Sequence, residues 1–196
     1  NIAFFILLGA SLIHYSSLIL LPVLFLNNKP FCKKTTILFL CAIPLGYVVY
    51  YAGGSILMNP SLPFIGNKLA IYQAAVEKGK MTVGINIFDP LHIMSIMLFY
   101  YLFLFKDTLT KLCSNFPILL KTSAIGLSLY SAFAFLPVLA LRTSQLYCIV
   151  NILLYTYILY TFKQKWIGIS LVVIISLLLL YVSIPHYGLG MMIILN

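Results

Sequence analysis

Apolar stretches of about the length needed to cross a bilayer recur six times along this chain, and that recurrence constrains its fold more than anything else in it. Roughly 20 apolar residues in a helix cross the ~30 Å hydrocarbon layer. The first stretch runs from Ile2 to Leu26 and the second from about Thr36 to Ala52, where Gly53-Gly54 reads as a helix end. The third, Leu91 to Phe105, is short; then come Ile118 to Leu141, Gln145 to Phe162 and Trp166 to Ile184. The tail from Pro185 to Asn196 is apolar but too short to cross unaided. With 63% hydrophobic and only 8% charged residues, a water-soluble domain of this size lacks the polar coat it needs. A transmembrane barrel is excluded too, because the runs are continuous rather than alternating at period two. The expectation is an all-α, polytopic transmembrane helical bundle with about six spans, one bundle over 1–196. The opening at Asn1, directly into an apolar run, reads as the later portion of a longer chain.

The formal net charge of +9 does not point to nucleic acid. The lysines flank the apolar runs, as Lys29, Lys33 and Lys34, then Lys106 and Lys111, then Lys163 and Lys165. A phosphate-tracking stripe would cluster them. This distribution is instead the positive-inside pattern, and it puts 27–35, 106–117 and 163–165 on the cytoplasmic side. The 53–90 loop, a turn at Arg142 and the 185–196 tail then fall on the outer face. Four cysteines, Cys32, Cys41, Cys113 and Cys148, show no metal-ligand spacing and read as reduced thiols.

The 53–90 loop, with Pro60 and Pro63, reads as extracytoplasmic and carries a helix near 67–80. There Leu69, Tyr72, Ala75 and Val76 share one face, while Lys68, Glu77, Lys78 and Lys80 lie elsewhere. That amphipathic pattern suits a helix on the outer membrane surface or capping the bundle.

Arg142 is the only arginine and sits between two apolar runs. Its planar, permanently charged fork is suited to phosphate. The alternative is an arginine snorkelling to the interface. In the first stretch Ser11, His14, Tyr15, Ser16 and Ser17 form a polar island, with His14 and Ser17 on one helix face. His14 is a candidate base for an acceptor hydroxyl, although such an island also serves simply to hydrogen-bond helices together. His92 follows Asp89-Pro90, which reads as a helix start with Asp89 as N-cap. An Asp89/His92 acid–base pair and plain capping both account for it. His186 and Tyr187 fall in the outer tail. The three acidic residues, Glu77, Asp89 and Asp107, place no carboxylate mid-membrane for coupled transport and no close pair for glycosidase chemistry.

The segments His14-Tyr-Ser-Ser-Leu-Ile-Leu-Leu-Pro22 and Leu136-Pro-Val-Leu-Ala-Leu-Arg142, with Ser144 and Tyr147, resemble the EpsG-like polysaccharide polymerases, relatives in role of the Wzy polymerases of O-antigen and capsule. Gln145 stands where such turns often carry an acidic residue. The resemblance implies a metal-independent inverting glycosyltransferase of the bacterial cytoplasmic membrane, needing no cofactor. It would move a growing glycan from undecaprenyl pyrophosphate onto a lipid-linked repeat unit at the outer face, alongside a flippase and a chain-length regulator. Under that resemblance Arg142 and His14 are the catalytic candidates, with His92 or His186 as alternative bases. Substrate binding would fall to Arg142, Lys68, Tyr72, Ser17 and Tyr147. A lipid-linked oligosaccharide flippase and a membrane acyltransferase acting on surface glycans are the competing functions.

Overall fold

The computed structural model describes residues 5–6, 9–10, 15–57 and 85–194, without the side chains of 15, 16, 18, 53–57 and 182–194. Among the described residues every regular element is helical. A 3-10 turn over Tyr15–Leu20 leads into α1 (Leu21–Leu24). It is followed by α2 (Lys33–Leu57), α3 (Pro90–Leu104), α4 (Lys106–Leu112), α5 (Phe116–Ala132), α6 (Pro137–Cys148), α7 (Asn151–Tyr157) with a 3-10 turn over Ile158–Thr161, and α8 (Lys165–Ile194).

The outside of the bundle is as apolar as its inside. Ile37, Leu45 and Val48 on α2, and Ile174, Leu177 and Leu180 on α8, each expose more than half of their surface. In water such a continuous patch would drive association, whereas hydrocarbon solvates it. Among the described residues, one helix, over Lys33–Ala52, is long and apolar enough to cross a membrane alone. Up to three qualify if each bent pair is one span: α3 with α4 (76° bend) and α6 with its continuation to Thr161 (43° bend). The expected six is therefore not reached among the described residues.

The departures have local causes. The run expected from Ile118 to Leu141 breaks at 133–136, because Pro137 disfavours the helical conformation at Leu136, whose φ is −119° and ψ 83°. A new helix starts at Pro137, so Arg142 lies inside α6 rather than in a turn, and the next span begins eight residues earlier than expected. Conversely, α2 runs through Gly53-Gly54 to Leu57, so 53–57 belong to a helix rather than to the expected loop, whose far end at 90 is the capped start of α3. Two glycines cost a helix about 1 kcal/mol each, less than leaving backbone groups unpaired beside hydrocarbon. The tail also differs from expectation: α8 passes Pro185 and continues to Ile194. The 106–117 connection contains α4, and the expected helix near 67–80 lies outside the described residues.

Helix α5 is the axis of the bundle, packed against α2, α3, α4, α6 and α7. Its buried residues include Lys121, Thr122, Ser123 and Ser131 beside Leu120, Ala124 and Leu127. A helix surrounded by protein can carry polar groups that one facing lipid cannot. The helices approach closely where residues are small. A Cβ on Gly46 would strike the backbone carbonyl of Ser128, and one on Gly126 would strike the Tyr147 side chain. Pro44 lacks the N–H that would bond to Leu40, and the carbonyl so released accepts from the Tyr100 hydroxyl at 3.1 Å.

Candidate functional site

The bundle has two chemically different ends. At the basic end, Lys121 Nζ donates to the Asn27 carbonyl (2.8 Å), the Asn27 amide oxygen (3.1 Å) and the Lys29 carbonyl (2.8 Å). Asn28 donates there to Asn115 Oδ1 at 3.2 Å. The ring of Tyr157 packs on Phe116, 5.2 Å between centroids, and so brings the chain leading to Lys163 and Lys165 towards the same end. The segments expected to share the cytoplasmic side thus converge.

At the opposite end the start of α3 meets the end of α5 and the corner before α6. The Ile85 amide donates to the Ala134 carbonyl at 3.2 Å, and the Tyr47 hydroxyl to the Ile87 carbonyl at 3.1 Å. Asp89 caps α3 through its side chain, which accepts from the Leu91 amide at 3.1 Å, with Pro90 in the first turn. One turn into the helix, His92 is buried, and its Nε2 lies 3.1 Å from Ser131 Oγ. The ring of Tyr130 lies 4.2 Å from the imidazole and that of Tyr47 6.4 Å. His92 is thus buried beside a serine hydroxyl and the rings of two tyrosines.

Arg142 sits elsewhere on this end. On α6, Ala140, Thr143 and Tyr147 are buried at i, i+3, i+7 spacing. Val138, Arg142, Gln145 and Ile149 form the opposite, exposed side at i, i+4, i+7, i+11. Apolar Leu141 and Ile149 are exposed on the same helix, 46% and 63%. Tyr147 touches Gly126, and five residues towards the corner on each helix, roughly 7.5 Å at 1.5 Å per residue, bring Arg142 level with Ser131. Arg142 and His92 therefore share a depth but occupy different sides of the bundle.

Tyr147 is fully buried and its hydroxyl donates to the Ile19 carbonyl. That bond fixes the first segment against α6. Ser17, in that segment, donates to the Ala10 carbonyl at 3.3 Å. His14, Lys68 and Tyr72 lie outside the described residues, and His186 falls within α8 with its side chain outside them. Of the expected site residues, the structure thus brings together Tyr147 and the segment of Ser17, and keeps His92 apart from them.

Sequence reasoning missed Ser131, Tyr130 and Lys121 as members of buried polar contacts, along with the Ser123–Asn151 bond of 2.7 Å. The available signal was a span carrying one lysine, one threonine and three serines, since such a helix has to be the one surrounded by others. Among the described residues, no buried side-chain nitrogen or oxygen lacks a partner, and no three His, Cys, Asp or Glu side chains gather as metal ligands.

No curated protein and no solved structure matches the chain. The sequence model of one family does, over residues 1–192, nearly the whole length, and on that match the chain belongs to the EpsG family.

Proposed function

We propose that this protein is a membrane polysaccharide polymerase working on undecaprenyl-pyrophosphate-linked glycans at the outer face of the cytoplasmic membrane. Membership of the EpsG family supports the coarser part of the reading, a membrane protein of polysaccharide biosynthesis. In the proposed reaction a sugar hydroxyl of one lipid-linked repeat unit attacks the anomeric carbon of the glycan on a second carrier, from the face opposite the diphosphate. A new C–O bond forms, the C–O bond to the carrier breaks, and the anomeric configuration inverts. The hydroxyl proton passes to a base, and the polyprenyl diphosphate departs with the electron pair.

The observation that carries this reading is the placement of Arg142 on the exposed side of α6, which also exposes Val138, Leu141 and Ile149. A polyprenyl diphosphate travels in the bilayer and meets a bundle from its flank. It needs a fixed cation for the diphosphate and apolar surface for the isoprenoid; Arg142 offers the first, and exposed Val138, Leu141 and Ile149 offer the second. Fixed positive charge where negative charge accumulates lowers the barrier to departure, and a guanidinium holds phosphate oxygens in pairs. Lys68 and Tyr72 are assigned supporting contacts from the loop, and no metal is given a role. His14 is assigned the base, with Ser17 beside it and Tyr147 holding their segment on α6. His92 and His186 are the substitutes for that role.

Surface-glycan chain length tests the proposal. Arg142→Lys keeps the charge but loses the paired geometry, and polymer is expected to fall sharply, leaving single repeat units attached. Full-length polymer from Arg142→Ala cells would overturn the assignment. A flippase would leave no glycan outside when disabled, and an acyltransferase would leave normal length.

A further inference from the structure

We propose that the basic end of the bundle holds the headgroup of an anionic phospholipid in a groove between Lys33 and Lys106. The groove goes beyond the polymerase reading and lies at the end of the molecule away from Arg142. Helix α4 turns away from α3 by 76°, and its first residues face the first turn of α2 across this groove. It is open and shallow, about 400 Å³, and is lined by Phe31, Lys33, Thr36, Ile37, Lys106 and Asp107.

Its charge is unbalanced. Lys106 is drawn inward, with its side chain 19% exposed and its Nζ 5.3 Å from the centre of the Phe103 ring. Its one acidic neighbour in the lining, Asp107, is 3.5 Å away but 79% exposed, where water weakens the attraction. Lys33 adds a second cation and Thr36 a hydroxyl. A phosphodiester suits two ammonium groups and a hydroxyl donor.

The walls decide between a lipid and a free ion. Phe31 and Ile37 give the groove an apolar side, and Ile37 is itself 63% exposed. From Ile37 the exposed side of α2 continues through Cys41, Leu45 and Val48, at i, i+4, i+8, i+11 spacing, towards the middle of the bundle. A headgroup seated between the lysines can lay an acyl chain along this strip, whereas a soluble phosphate has no use for it. Basic pockets between helices at the cytoplasmic side are suited to anionic headgroups.

The test is native mass spectrometry of the full chain in mild detergent, titrated with phosphatidylglycerol and separately with phosphatidylcholine. Wild type is expected to retain one phosphatidylglycerol and to bind phosphatidylcholine many-fold more weakly. The Lys33→Gln, Lys106→Gln double variant is expected to bind phosphatidylglycerol roughly twenty-five-fold more weakly, about fivefold per lysine. The corresponding double arginine variant should retain it, and Lys163→Gln, which removes a basic residue outside the groove, should match wild type. Asp107→Asn removes the carboxylate on the rim and should tighten binding a few-fold, a gain that misfolding cannot produce. Unchanged affinity in the double glutamine variant, equal retention of phosphatidylcholine, or displacement of the lipid by excess inorganic phosphate would each overturn the proposal.

Discussion

Tyr147 donates its hydroxyl proton to the carbonyl of Ile19, 128 residues earlier in the chain. The bond spans from the inward side of α6, whose outward side carries Arg142, to the segment that follows His14 and contains Ser17. One phenol thus ties α6 to the segment that carries Ser17. Tyr147→Phe keeps the ring against Gly126 and removes only that bond. It is expected to lower stability by about 1 kcal/mol, read as a modest drop in melting temperature in detergent. Polymer length should shorten more than so small a loss of folded protein explains. Wild-type polymer from Tyr147→Phe membranes would mean that the bond is only a fastening.

His92 and Asp89 are separable by substitutions that keep shape. Asp89→Asn retains a capping oxygen for the Leu91 amide, whereas Asp89→Ala removes it at a cost of roughly 1 kcal/mol. If Asp89 only caps α3, the asparagine variant makes normal polymer. Ser131→Ala leaves the buried His92 nitrogen without its hydroxyl partner, an expected loss of about 1–3 kcal/mol. Loss of polymer in a stably folded His92→Gln protein would transfer the role of base from His14 to His92.

Close helix approach gives a stricter prediction. Gly126→Ala drives a methyl group into Tyr147 and Cys148, and Gly46→Ala drives one into the Ser128 carbonyl. In both places helix backbones would have to separate, which costs about 1–3 kcal/mol or more. Both variants should be depleted from membranes, and Gly126→Ala should also displace α6 and with it Arg142. Wild-type abundance and melting for Gly126→Ala would show that this contact is looser than described.

What was legible in the sequence followed from the physics of its residues. Helical class came from long apolar runs, and the start of α3 followed from Asp89-Pro90. Shared basic ends followed from the lysines. The corner at 133–136 was hidden because Phe133-Ala-Phe-Leu136 is as apolar as the helices beside it, so hydropathy does not register a break. A lone charge between two apolar runs has the same sequence pattern as a turn, which is why Arg142 reads as one. In fact α6 carries the guanidinium on its exposed side and keeps its other side buried. Lys121 lay unnoticed within an expected span, since a one-dimensional reading does not show that carbonyls 92 and 94 residues earlier fold back to meet it.

Lys121 itself is 2% exposed, and its three acceptors belong to the connection before α2. Its ammonium also lies 5.2 Å from the centre of the Phe31 ring. Hydrogen bonds to a charged donor contribute about 1.5–3 kcal/mol, so Lys121→Met should be destabilised by an amount in that range. Lys34→Met, at an exposed position, should melt like wild type. Equal melting of the two variants would mean that the cost of burying the ammonium cancels its bonds.

Cys32 reports which side of the membrane the basic end occupies. It is exposed, and the Thr35 hydroxyl donates to its sulfur at 3.4 Å, which holds the thiol below its ordinary value of 9.0. A lowered thiol pKa means more thiolate at neutral pH, and the thiolate is the species that reacts. In a chain whose other cysteines are alanine, a membrane-impermeant maleimide should label Cys32 in inside-out vesicles and not in intact cells. Thr35→Val removes the donor, so labelling at pH 7 should slow, and the two proteins should converge once the pH exceeds 9.0. The basic end and the corner before α6 lie at opposite ends of the bundle, so the same experiment also locates Arg142. Labelling of Cys32 in intact cells would turn the bundle over, bring the arginine towards the cytoplasmic side, and remove the outer-face site on which polymerisation is proposed to occur.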